Sequence, residues 1–163
     1  MSKEHHYKTT VQWTGNKGSG TSSYRSYERS HTISVDNKPV IEGSSDPAFR
    51  GDKTKYNPEE LLLASLSSCH MLWYLHFCSE EGVIVMEYTD IATGIMIENP
   101  DGSGHFKKVT LHPEVIVAEK SMIEKAKELH HKANQFCFIA KSMNFPVDHI
   151  PTTLEISTFH KPS

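Results

Sequence analysis

The sequence predicts an α+β fold, with strands and helices in the order strands, helix, hairpin, helix, strand. Three observations point to it. Short segments with two-residue alternation open and close the chain. Between them, one long helix is apolar on nearly every face and a second is apolar on one face only. No internal repeat or linker divides the 163 residues. The expected organisation is a flexible tail, residues 1–6, followed by one domain, 7–163, whose sheet packs on helices.

The strands come first. "YKTTVQWTG" alternates Thr9, Val11 and Trp13 as a half-buried strand would, and "GNKGSG" stops it. "RSHTISVDNKPVIEGS" predicts two short strands, Thr32 to Val35 and Pro39 to Glu42, about a "DNK" turn. "SSDPAFRGDKTKYNP" has no periodicity and is rich in turn formers and charge, which marks a loop of functional length.

The long helix, "NPEELLLASLSSCHMLWYLHFCSEEG", starts sharply. Asn57 is an N-cap, Pro58 takes the first helical position, and Glu59 and Glu60 load the positive end of the dipole. Gly82 is the expected C-cap. Leu61 to Leu63, Leu66, Met71, Leu72, Trp73, Leu75 and Phe77 spread over the whole circumference, so the helix is either buried all round or crosses a membrane. Ser65, Ser67, Ser68, His70 and His76, with acidic residues at both ends, argue for a central core helix. One domain of this size has trouble covering every face of such a helix, so a second copy of the chain is expected to help, as a homodimer.

Next, "VIVMEYTDIATGIMIENP" and "HFKKVTLHPEVIVAE" read as a long antiparallel hairpin about "NPDGSG". Ser121 and Glu124 have the spacing of a capping box opening the second helix, whose apolar face is Ile123, Ala126, Leu129, Ala133 and Phe136. "MNFPVD" ends it, and "TTLEIST" is a last strand.

Composition narrows the chemistry. A net charge near −3 gives no electrostatic case for nucleic acid or an anionic membrane. The N-terminal "MSKEHHYKTTVQW" has no apolar run that would direct secretion. Three cysteines without framework spacing suit a reducing cytoplasm. Eleven histidines raise a metal site, but most stand singly in polar surroundings such as "SGHFKK" and "STFHKPS". The adjacent His130 and His131 diverge by about 100° on a helix and cannot share a metal. No metal, flavin or haem motif is present, so no cofactor is expected.

Cys69 and Cys78 lie nine residues apart on the long helix. They face opposite sides, roughly 13 Å apart along the axis, and cannot be bridged within one chain. Cys78 beside Phe77 reads as a small buried hydrophobe. Cys69 sits behind a gap of small residues, Ser67 and Ser68, where another group could approach. Cys137 sits at the end of the second helix, where the dipole opposes a thiolate, so it should be the poorer nucleophile. Cys69 would need an external cation, with Arg50 of "DPAFRGD" the first candidate and Arg25 and Arg29 its competitors. From the residues alone, two inert buried cysteines remain the simpler reading.

"YNPEELLLASLSSC", the later "FCFIA" and the loop "DPAFRGD" closely resemble the OsmC/Ohr family of thiol peroxidases, the osmotically inducible and organic hydroperoxide resistance proteins. The resemblance spans nearly the whole chain in element order. It implies antiparallel sheets packed on a long central helix in an intertwined homodimer. Residue by residue, it makes Cys69 peroxidatic, Cys137 resolving and Glu59 the family glutamate. The arginine comes from varying positions in the family, and Arg50 fits by its place before N-P-E. Some members carry proline directly after the second cysteine, where this chain has Phe138.

The implied activity is reduction of organic hydroperoxides through a Cys69 sulfenic acid and a Cys69–Cys137 disulfide, reopened by a dithiol, in the family of lipoyl type. Met71, Leu72 and Phe136 are the candidate apolar walls for the substrate. Two rivals come from other classes. A cysteine hydrolase needs a histidine base held by a third group, and no spacing proposes one. A non-enzymatic dimeric binding or redox-sensing protein of the same fold is the stronger rival.

Overall fold

The computed structural model describes residues 2–156, and the chain forms two compact units, one ending at Leu62 and one beginning at Leu63. The end of the predicted last strand, residues 157 and 158, and His160 of "STFHKPS" lie outside the described residues.

The first unit is built on three antiparallel strands, β1 (Thr10–Trp13), β2 (His31–Ser34) and β3 (Ile41–Gly43), in that order. Their register aligns Val11, Ile33 and Ile41 in one row across the sheet. The "DNK" turn forms as expected, with Asn37 in the left-handed region at φ 63° and the Lys38 N–H donating to the Val35 carbonyl. The expectation of a half-buried β1 is not met. All four of its residues are exposed, Val11 to 63%, since none of the described residues of the first unit buries them. The loop after β3 is more ordered than its composition suggests. Asp46 caps a 3-10 turn, Pro47–Phe49, by accepting from the Ala48 N–H, and Arg50 closes it at φ 65°.

Helix α1 (Pro58–Glu80) begins in the first unit and continues in the second. Its cap is a reciprocal box. The Asn57 side chain accepts from the Glu60 N–H at 2.8 Å, and Glu60 accepts from the Asn57 N–H at 3.1 Å. At the far end Gly82 turns left-handed at φ 74°, and the Val83 N–H reaches back to the Cys78 carbonyl at 2.9 Å, a Schellman closure. Between the caps, burial departs from expectation. Leu66, His70, Tyr74, Phe77 and Cys78 are buried and trace one stripe at helical spacing, not the whole circumference. The helix is long and apolar enough to cross a membrane, and 28% of its most apolar eighteen-residue stretch is buried. One chain therefore supplies a core for only one of its faces.

The second unit holds two three-stranded sheets, β4-β7-β9 and β5-β6-β8. The strands are β4 (Val85–Asp90), β5 (Thr93–Glu98), β6 (Gly104–Leu111), β7 (Pro113–Val117), β8 (Val147–His149) and β9 (Thr152–Glu155). The predicted long hairpin is split. β5 and β6 pair about the "NPDGSG" turn, while β4 pairs with β7 in the other sheet. Asp90 holds the break. Its carboxylate accepts from the His112 N–H at 2.6 Å and from the Ser67 hydroxyl of α1 at 2.5 Å. β8 and β9 each join their sheet in parallel.

The second helix also starts differently from its sequence pattern. Lys120–Met122 forms a 3-10 turn, and α2 (Ile123–Phe136) follows Met122 with no side-chain cap. Ser121 donates to Glu119 instead, so the predicted capping box is absent. Ala126, Leu129, His130 and Ala133 are buried, but Phe136, assigned to the apolar face, is exposed. A four-residue helix, α3 (Phe138–Lys141), follows at once. The core joins α1, β7 and α2 through Tyr74, Phe77, Val115, Val117, Leu129 and Ala133.

Candidate active site

Two of the three cysteines meet. Cys69 lies on α1, partly exposed, and Cys137 lies at the junction of α2 and α3, 1% exposed. Their thiols share a hydrogen bond. Cys137 has a second tie: it ends α2 and begins α3, and its Sγ accepts from the Ala140 N–H at 3.4 Å. The sequence reading placed it only at a helix C-terminus. The second helix start partly offsets that dipole, and burial dominates. Burial first, then the hydrogen bond with Cys69, pushes the Cys137 thiol up to about 11. Cys137 is therefore a protonated thiol at neutral pH beside a more accessible sulfur. Cys78 is buried against Tyr74 elsewhere in the core, its thiol also pushed up to about 11 by burial.

The other predicted site residues divide by unit. Arg50, Glu59, Arg25 and Arg29 belong to the first. Arg29 is occupied: its guanidinium donates to the Tyr27 and Tyr24 carbonyls at 2.7 and 2.9 Å and stacks over both rings. Arg50 is exposed and lies 6.0 Å from the Tyr24 ring centre, and Arg25 is exposed. Glu59 is half-buried, and its Oε2 is out of water with no hydrogen-bond partner among the described residues. An unpaired buried carboxylate oxygen is costly.

Around the cysteine pair the second unit is aromatic. Leu72, Trp73 and His76, at three, four and seven residues after Cys69, share its side of α1 and line a hollow of about 280 Å³. Trp73 stacks on Phe77 at 5.4 Å and meets Phe136 at 5.4 Å and Phe138 edge-on at 5.5 Å. Phe136 and Phe138 flank Cys137, and Phe138 is 70% exposed. Of the predicted wall residues, Leu72 lines the hollow and Phe136 packs on Trp73, whereas Met71 is turned about 200° from Cys69 on the helix. Trp73 and His76 escaped the sequence reading, though their helical spacing from Cys69 was a usable signal.

A second unexpected cluster lies behind Tyr74. His70 of α1 and His130 of α2 are buried, and His70 Nε2 lies 3.0 Å from His130 Nδ1. Tyr74 stacks on His130 at 3.9 Å, and His149 of β8 lies 5.6 Å from His70. Burial holds both rings neutral, His70 down to about 4 and His130 down to about 3. Among the described residues no group of side chains forms a metal site.

Comparison with known proteins bears on the family. Residues 51–151 match the family model described as OsmC-like protein, and the chain belongs to that family. It is similar to an OsmC-like protein of unknown function from Vibrio cholerae O1 biovar eltor str. N16961. The two are 31% identical with a TM-score of 0.82, over 91% of this chain and 100% of that one. An organic hydroperoxide resistance protein from Elizabethkingia anophelis shares the fold at 20% identity and a TM-score of 0.65, over 94% of this chain and 99% of that one. Another from Legionella pneumophila does so at 16% identity and a TM-score of 0.65, over 94% and 100%. No curated protein matches the chain.

Proposed function

We propose that this chain is a thiol-dependent peroxidase that reduces organic hydroperoxides to alcohols in the cytoplasm, acting as a homodimer. The observation that carries this reading is the contact between an accessible Cys69 and a buried, protonated Cys137. Hydroperoxide resistance in two proteins of the same fold supports it.

The Cys69 thiolate attacks the distal oxygen of R–O–O–H. The O–O bond breaks, the sulfur becomes S–OH, and the departing R–O⁻ takes a proton to give the alcohol. Cys137 then displaces hydroxide from that sulfur, its own proton leaves with the hydroxide as water, and the disulfide forms. An external dithiol, in the family of lipoyl type, reduces it by exchange, giving two thiols and its own disulfide. Arg50 is assigned the thiolate and the charge developing on the leaving oxygen, and Glu59 the arginine. The orphaned Oε2 of Glu59 supports that role, since a guanidinium would satisfy it.

The dimer answers a packing deficit. α1 is buried on one face, and β5 is exposed throughout, with Ile95, Met96 and Ile97 open to solvent. A second copy is the occupant we assign to these faces.

Peroxide consumption with dihydrolipoate, combined with thiol titration, tests the reading. The expected result is turnover with an organic hydroperoxide and the loss of two of the three free thiols per chain on stoichiometric peroxide. No turnover and no thiol loss would make the chain a binding protein of this fold.

A further inference from the structure

Resting on the peroxidase reading, we infer that the buried histidines His70 and His130 are positioning residues for its second step. Their hydrogen bond sets α2 against α1 so that Cys137 meets the oxidised Cys69. The chemistry itself uses neither ring, yet both are buried, to 1% and 0% exposure. They also flank the cysteines in sequence. His70 follows Cys69 directly on α1. His130 lies seven residues, about two turns, before Cys137 on α2, and so on nearly the same side of that helix.

The seat for His130 is specific. His70 Nε2 lies 3.0 Å from His130 Nδ1 with the ring planes 5° apart, so the two rings meet edge to edge. Tyr74, one turn further along α1, stacks on the face of His130 at 3.9 Å. Edge and face together fix where the His130 ring sits and how it is turned. Burial keeps both rings neutral, as the bond requires, since one nitrogen donates a proton and the other accepts it. The remaining nitrogens, His70 Nδ1 and His130 Nε2, are out of water with no partner among the described residues. Losing the shared bond would therefore leave each ring unsatisfied in the core. The second step is the one that feels such a loss. Cys137 must approach the Cys69 sulfur in line with the departing oxygen, and a misplacement of about 1 Å can cost about a hundredfold. The first oxidation takes place at the more accessible Cys69 and does not involve Cys137.

The test uses two pairs of variants matched in shape. His70→Gln keeps a hydrogen-bonding amide near the place of Nε2, and His70→Met has the same length without one. His130→Asn keeps an amide near the place of Nδ1, and His130→Leu has the same branching without one. Rapid quenching after one equivalent of an organic hydroperoxide, read by mass spectrometry, separates Cys69 oxidation from formation of the Cys69–Cys137 disulfide. The first rate should stay within about twofold of native in all four variants. Disulfide formation should slow about tenfold in His70→Met and His130→Leu and stay near native in His70→Gln and His130→Asn. Equal slowing within each pair would mean that packing alone is at work and would overturn the inference. So would no slowing in the Met and Leu variants, or a first oxidation slowed along with the second. The two pairs are independent, so either one decides if a member of the other fails to fold. Native protein in which peroxide leaves Cys69 unoxidised, or leaves Cys137 unbridged, would bring down the peroxidase reading and this inference with it.

Discussion

A thiol behaves as its surroundings dictate, and the three cysteines here have three different surroundings. Cys69 is half-open on α1, Cys137 is buried against it, and Cys78 is buried in the core beside Tyr74. Cys69→Ser should abolish peroxide turnover. Cys137→Ser should keep the first oxidation and then stall, with over-oxidised Cys69 visible by mass spectrometry. An active Cys69→Ser protein carrying its oxidation mark on Cys137 would reverse the assignment. Cys78→Ala should leave turnover unchanged and lower stability by about 1–2 kcal/mol, measured by urea unfolding. The opposed placement of Cys69 and Cys78 was legible, because helix geometry alone decides it. The meeting of Cys69 with Cys137 was not legible from spacing, because the tertiary fold brings α2 to α1; the resemblance to a family supplied it.

At the scale of single elements, the two helix starts expected from the sequence had different outcomes. Asn57 with Glu60 forms a reciprocal box, whereas Ser121 with Glu124 does not, because a 3-10 turn draws Ser121 inside the helix entrance. Asn57→Ala should therefore cost about 1 kcal/mol, read as a lower melting temperature, while Ser121→Ala should change it little. Long α1, with its Gly82 stop, was readable because caps and apolar spacing agreed. The split of the predicted hairpin was not. Its alternation runs on in the sequence, and the break depends on Asp90 reaching Ser67, a contact between distant segments.

For the whole molecule, burial of neutral histidines sets a response to acid. His70 and His130 are held at about 4 and about 3, below the ordinary 6.5, and His149 is also lowered. The unfolded chain takes up their protons first, so it gains on the folded state as pH falls below 6.5. Stability should be unaffected by these groups above about pH 6.5 and decline from there towards pH 4. His131 adds to the strain on His149, and Asp148 opposes it. Melting temperature against pH measures this, and His130→Phe should flatten the slope; an unchanged slope would remove the cluster from the account. The expected dimer has its own test. Glu59 and Cys69 are ten residues apart on one helix, about 15 Å along the axis, so a glutamate is expected to serve the partner's cysteine. Mixed Glu59→Ala and Cys69→Ser proteins, after subunit exchange, should regain partial activity. A mixture as inactive as its parents would place each site within one chain.

Cys137 closes one helix and opens the next, and its sulfur accepts the Ala140 N–H. A disulfide to Cys69 would redirect that sulfur, and the four-residue α3 has no other side-chain cap among the described residues to hold its first turn. Oxidation would then be felt as backbone loosening, carried to an exposed lysine, Lys141, at the end of α3. Trypsin should cut after Lys141 faster in the oxidised protein than in the reduced one, and adding a dithiol should restore the slower rate. Equal cleavage would show that the turn keeps its shape through the cycle. A protease with no interest in sulfur would in that way report the electron count of the chain.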